Sequence, residues 1–221
     1  MSTSVDAAAA SGNSMWEQRY SEEEYAYGTA PNDFLKETVP SLKFQSVPSG
    51  KCLLLADGEG RNGVFMAEQN LFDQVVSLDY SPVGLEKAKK LAKSRNVELE
   101  TIEADLADYD LGTDKWDCIV GIFCHFPPPI RAEVLEGIPA ALKSGGYFIL
   151  ECYTPDQIKN GTGGPPVAAP MYSKQILDDF LGQKLQIERN EELERTVSEG
   201  KYHKGNSAVV QFIGRKAVPD E

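Results

Sequence analysis

Apolar residues along this chain gather into short unbroken runs that alternate with amphipathic stretches, a pattern that predicts strands followed by helices. KCLLLA (51–56) is apolar at nearly every position, as suits a central parallel strand covered on both faces. EGRNGVFMAEQN (59–70) has helical composition, with Val64, Phe65 and Ala67 apolar. The plan then repeats. QVVSLD (74–79) reads as a second strand and SPVGLEKAKKLAKSR (81–95) as a helix, with Ser81 as N-cap and Pro82 at its first position. Its face of Leu85, Ala88, Leu91 and Ala92 lies opposite a polar face of Lys87, Lys89, Lys90 and Lys93. VELETIEAD (97–105) and WDCIVGIFCHF (116–126) are the third and fourth strands. A helix from about Pro129 to Leu142 stops at Lys143-Ser144-Gly145-Gly146, and GYFILECY (146–153) is the fifth strand.

KNGTGGPPVAAPMY (159–172) is too rich in turn formers for regular structure. A helix (SKQILDDFLG, 173–182) and two strands follow, KLQIERNEELERTV (184–197) and GNSAVVQFIGRK (205–216), joined by the loop SEGKYHKG. The expected fold is α/β: a doubly wound, mostly parallel sheet with helices on both faces, ending in an antiparallel hairpin. Ahead of it, Met15 to Pro40 mixes aromatics with acids and reads as short helices packed on something else. Residues 1–14, small and polar, read as a disordered tail, without the cationic start and apolar run of a secretory leader. The rest, 15–221, reads as a single domain.

Composition narrows the partners. Twenty-two Lys and Arg against 34 Asp and Glu leave a net charge of -12, a field that repels a phosphate backbone, so no nucleic-acid partner is expected. No window approaches the about 18 apolar residues of a membrane span. Cys52, Cys118, Cys124 and Cys152 sit in apolar contexts without metal spacing, as reduced core thiols of a cytoplasmic protein would. The acids Asp105, Asp108 and Asp110 read as a solvated turn, and no metal site is expected.

In an open parallel sheet, ligands bind beyond the carboxyl ends of the strands. The first strand ends in Ala56-Asp57-Gly58-Glu59-Gly60-Arg61-Asn62-Gly63, where glycines allow close backbone approach and a helix start offers free N–H groups. The second ends at Asp79, about twenty residues beyond the glycine turn, the spacing of an acid that holds a ribose. The third ends at Asp105, placed for an adenine amino group. Gly58, Gly60 and Gly63 also satisfy G-x-G-x-x-G, so an NAD(P)-dependent oxidoreductase is an alternative.

LLLADGEGRNGVFMAEQ, VVSLDYSPVGLEKAKKLA, IEADLADYDL, WDCIVGIFCHFP and LKSGGYFILECY, spanning roughly residues 50 to 153, together resemble the successive motifs of class I S-adenosylmethionine-dependent methyltransferases. The G-x-G-R-N turn, the W-x-x-R-Y and Y-G-x-x-P-N-x-F aromatic stretch and His125 after the fourth strand resemble the tellurite-resistance and thiopurine type of small-molecule methyltransferase. Ala56 stands where the family's turn has its first glycine, and Leu54 where the first strand often carries an acid. The resemblance implies a seven-stranded sheet with its last strand antiparallel and S-adenosylmethionine as the methyl donor. It further implies donor contacts from Tyr27, Asp57, Gly58, Gly60, Arg61, Asn62, Asp79, Tyr80, Ser81, Asp105, Leu106 and Phe123.

Methyl transfer needs nucleophile, methyl and leaving sulfur in line with water excluded, so a cover is expected, and residues 15–45 are the candidate. Trp16, Tyr20 and Asn32 from that segment, with Tyr153 and His203, are the candidate acceptor contacts. His125, in the slot beside the donor methyl, is the candidate base or substrate-orienting group. His203 is placed in the loop between the last two strands, on the same rim. The HFPPP stretch lacks the acid or amide that precedes the prolines in amine methyltransferases, so the expected acceptor is a thiol or chalcogen anion, which needs little base catalysis. A non-catalytic donor-binding module is the other alternative.

Overall fold

A computed structural model describes residues 15–44 and 50–218, so the tail expected over 1–14 lies outside the described residues. Residues 15–20 are helical (α1), followed by α2 (Asp33–Thr38), β1 (Lys51–Leu55), α3 (Arg61–Glu68), β2 (Gln74–Asp79), α4 (Pro82–Arg95) and β3 (Glu100–Glu103). Next come β4 (Trp116–Ile122), α5 (Pro128–Ala141), β5 (Leu142–Tyr153), α6 (Lys174–Leu181), β6 (Gln186–Glu199) and β7 (His203–Arg215). The seven strands form one sheet in the order β3-β2-β1-β4-β5-β7-β6. Strands β1 to β5 are parallel, and β7 runs antiparallel between β5 and β6. The expected mostly parallel sheet with an antiparallel last strand is what forms.

Side chains alternate between the two faces of each strand, and that alternation splits the core in two. Leu53, Leu55, Ile119, Phe148 and Leu150 face α5 and α6, whose Leu135, Ile138, Leu177 and Leu181 close over them. Cys52, Leu54, Cys118, Val120 and Ile149 face the other way, under Phe34 and Leu35 of α2 and Phe65 and Met66 of α3. All four cysteines are buried and free.

The departures from expectation have local causes. Strand β3 keeps only four residues of the nine read as strand, because it is an edge strand with exposed Glu100 and Glu103 and little apolar surface to hold it. Strand β4 ends at Ile122 because Phe123 takes a left-handed φ of 51° and turns the chain. Helix α5 ends at Ala141, close to the expected stop, but β5 begins at once at Leu142 rather than at Gly146, with a bulge between the Leu142–Trp116 and Tyr147–Cys118 pairs. Helix α4 caps as expected, the Ser81 hydroxyl accepting from Gly84 N at 3.1 Å. Lys87 is not on its solvated face: it is buried, pairs with Glu59 at 2.6 Å and donates to the carbonyls of Glu22 and Glu24. His203 is the first residue of β7, opposite Glu199, rather than part of a loop.

Candidate active site

Strand order reverses between β1 and β4, and the carboxyl ends of β1, β2, β3 and β4 open there into a cavity of about 560 Å³. The turn after β1 forms its floor. Ala56, Gly58 and Gly60 all take positive φ, and Gly60, at 82°, is the residue from which α3 starts. A side chain there would strike Ala88 of α4, so only glycine lets the two helices pack this closely.

At the end of β2, buried Asp79 faces the cavity with its carboxylate oriented by two backbone donors, Gly58 N at 2.8 Å and Ser81 N at 2.9 Å. Burial pushes its pKa up to about 6 in spite of those bonds. Asp57 beside it accepts from Gly63 N at 3.0 Å and from the Ser77 hydroxyl, and burial pushes it up to about 7 against their pull. Asp105 stays exposed on the rim, with Oδ1 accepting from Ala107 N, while Leu106 and Tyr80 also line the cavity. Ser81, Gly58 and Gly60 back the wall rather than line it. The Ser81 hydroxyl donates to Glu17 at 2.5 Å.

The N-terminal segment lies over this floor. The Trp16 ring sits 5.7 Å from Tyr20 and 6.1 Å from Tyr27, and all three line the cavity. Arg19 donates to the Tyr27 hydroxyl at 2.9 Å and lies over the rings of Trp16 and Tyr202. The tip of the β6–β7 hairpin holds the segment in place: Lys201 N donates to Ala26 O at 2.9 Å, and Lys201 Nζ pairs with Glu22 at 2.9 Å. From the other side, Glu59, itself paired with Lys87, accepts from Ala26 N at 2.8 Å.

Aromatic rings cluster at the far end. Phe123 lies 4.4 Å from Tyr153 and 4.7 Å from His203, and Tyr27 lies 4.5 Å from His203. The two histidines differ in kind. His125 has Nδ1 at 2.9 Å from Phe123 O and accepts at Nε2 from Tyr153 N at 3.0 Å, which sets it as the Nδ1–H tautomer with no lone pair free. Burial pulls its pKa down to about 3. That geometry corrects the base role expected for His125: the ring joins the ends of β4 and β5. His203, lining the cavity, has Nδ1 buried without a hydrogen bond, 3.7 Å from Glu199. Tyr153 is fully buried behind Phe123 rather than open to the cavity. Asn32 is also not at the cavity. It caps α2 through Leu35 N, and its amide donates to Glu151 at 2.7 Å and Glu199 at 2.8 Å.

That last contact belongs to a buried network that sequence reading missed. Glu151, on β5, takes two bonds from Arg195 (3.0 and 2.6 Å) and one from Gln211 (2.6 Å), while Arg61 pairs with Glu199 at 2.6 Å. Burial would raise the Glu199 pKa, but Arg61 and His203 outweigh it and hold the carboxylate at about 2. Arg61 and Asn62 line the cavity, yet their polar atoms also serve this network, Asn62 Oδ1 accepting from Asn32 N at 3.0 Å. The available signal was Glu151 itself, an acid inside the apolar run FILECY.

Residues 53–146 match the methyltransferase domain family model. The ribosomal protein L11 methyltransferase of Thermosipho africanus is 30% identical over 125 residues, 57% of this chain and 46% of that protein. The chain thus spans about half the length of the curated relative it matches. Among solved structures, TehB from Haemophilus influenzae superposes with a TM-score of 0.66 at 14% identity, over 85% of this chain and 63% of that one. A structure described under the conversion of a disulfide bond into a thioacetal group during echinomycin biosynthesis superposes at 0.68 with 15% identity, over 90% and 87% of the two chains. At such identities the likeness speaks for the fold. The strand order, the cavity at the switch point and the match over residues 53–146 agree: that stretch is similar to a methyltransferase domain, and the chain has the fold of the solved structures on which it superposes.

Proposed function

We propose that the protein transfers a methyl group from S-adenosylmethionine to a small-molecule acceptor, a thiol or chalcogen anion. The observation that carries the reading is Asp79: a buried carboxylate at the end of β2, held by two backbone N–H groups and facing a cavity at the switch point. The donor supplies a methyl group on a sulfonium sulfur. Asp79 would accept from the ribose hydroxyls, Asp105 and Leu106 would flank the adenine, and Asp57, Arg61 and Asn62 would border the methionine end. Trp16, Tyr20 and Tyr27 exclude water from above.

Two features support a small, soft acceptor. The cavity lining is rich in apolar and aromatic groups, Phe123, Phe126, Pro129 and Ile130 among them. His125, locked between two backbone groups, is a positioning residue that fixes the ends of β4 and β5 and takes no proton itself, and a thiol or chalcogen anion asks less of any base than an amine or hydroxyl does.

The test is thermal unfolding with S-adenosylhomocysteine, NAD or NADP, followed by methyl transfer to a panel of thiols and hydrosulfide. A rise of about 5 °C or more with S-adenosylhomocysteine alone, abolished in Asp79→Ala, is expected. A rise with NAD or NADP alone overturns the reading in favour of an oxidoreductase. Binding without turnover on any acceptor favours a donor-binding module. Methylation of a ribosomal-protein fraction but of no thiol moves the acceptor class to the one named for the Thermosipho relative.

A further inference from the structure

We propose that His203, oriented by Glu199, is the group that takes the proton from a thiol acceptor at the aromatic end of the cavity. The inference rests on the methyl-transfer reading and deepens it, naming a protonated sulfur as the substrate and assigning the base.

The argument begins with placement. Glu199 closes β6 and His203 opens β7, and the turn between them makes the two residues partners across the hairpin. The imidazole ring lines the cavity, packed between Tyr27 and Phe123, with Tyr153 edge-on at 5.2 Å. Its Nδ1 is buried toward Glu199 Oε2 at 3.7 Å with no hydrogen bond, an orphaned polar atom beside an ionised carboxylate. Such contacts commonly tighten only when substrate binds. With Nδ1 turned to Glu199, the opposite nitrogen, Nε2, is left for a ligand.

The competing groups are excluded by their contacts. His125 spends both ring nitrogens on backbone, and the Tyr27 hydroxyl accepts from Arg19 and is pushed up to about 12 by burial. The Tyr153 hydroxyl is buried away from the cavity. The groups facing His203 from neighbouring elements are Arg61 on α3, Arg19 on α1, His125 after β4, and Tyr27 and Tyr153. Burial, with Arg61 and Arg19, keeps the resting imidazole neutral and able to accept a proton, while Glu199 stabilises the imidazolium once it forms.

In the reaction the S–H proton passes to Nε2 and the freed sulfur pair forms the new S–CH₃ bond. The methyl–sulfonium bond breaks with its pair staying on the donor sulfur, and the imidazolium returns its proton to water. Glu199 acts only through His203 and is a positioning residue.

The test compares wild type, His203→Gln and Glu199→Gln on two acceptors, an alkyl thiol and an alkyl selenolate already ionised at neutral pH. His203→Gln should lower kcat/KM for the thiol by about 100-fold at neutral pH. Its remaining rate should rise about tenfold per pH unit toward the pKa of the thiol used, following the thiolate fraction. The loss with the selenolate should be at least tenfold smaller, and Glu199→Gln should show the same pH signature with a smaller loss. The S-adenosylhomocysteine-induced rise in Tm, retained in each variant, reports an intact fold and donor site. Equal losses on both acceptors, or an unchanged pH profile, overturn the assignment, as does a wild type that binds S-adenosylhomocysteine but methylates no thiol. If wild type shows no response to S-adenosylhomocysteine, the methyl-transfer reading itself falls.

Discussion

Asp57 and Asp79 show what burial does to a carboxylate whose bonds are mostly backbone N–H groups. Both folded pKa values are raised, to about 7 and about 6 from an ordinary 3.8, so the stability they contribute is present below about pH 4. It is lost as pH climbs through those values. The Tm of the unliganded protein should therefore fall between pH 4 and 7, and Asp57→Asn should flatten that slope in scanning calorimetry. A ligand whose hydroxyls bond to the ionised carboxylate pulls the other way, so S-adenosylhomocysteine should bind more tightly at pH 8 than at pH 5, with proton release seen by titration calorimetry in buffers of different ionisation heat. His125 makes a separate prediction. Its ring satisfies Phe123 O and Tyr153 N, so His125→Ala should cost about 1–3 kcal/mol in urea unfolding by leaving them unpaired, and should leave the pH limbs of activity in place.

Among the elements, those legible in sequence were the ones whose own pattern decides them. β1 is apolar at nearly every position, β2 carries Val75, Val76 and Leu78, and α4 carries its cap, its N-terminal proline and one apolar face within its own residues. The misread ones depend on what lies beside them. Lys87 sits among lysines on a helical wheel, but the carboxylate that buries it comes from the turn after β1 and the carbonyls from residues 22 and 24. Likewise β6, mostly exposed, is held by β7 and by Arg195 reaching Glu151. Removing one partner of that pair strands the other's charge: Glu151→Ala should cost about 3–5 kcal/mol in denaturant unfolding, with Glu151→Gln costing less.

On the scale of the whole molecule, the site joins residues from both ends of the described chain, and for that reason half of it was hidden from sequence. The acids Asp79 and Asp105 follow from strand ends, so their place could be read. Asn32, Glu151, Arg61 and Glu199 are linear strangers that meet only when the hairpin tip closes against the N-terminal segment. Gly200 is where that closure is tightest: φ is 60°, and an added Cβ would lie 2.4 Å from Tyr27 Cα and Ala26 O. Gly200→Val should spring the contact, raising hydrogen exchange over residues 22–28 and weakening S-adenosylhomocysteine binding by about tenfold, since only the closed fraction binds well.

The position of β7 between β5 and β6 also bears on the order in which the protein can be made. On a ribosome β6 emerges before β7, its one neighbour among the described strands, exists, and its fourteen residues have no edge to join until β7 has been threaded against β5. Among the described strands the sheet therefore closes from the inside outward, with β7 acting as the keystone. The histidine that completes the aromatic end of the cavity arrives at the first residue of that strand, so the nascent chain acquires a full site only once β7 has been made.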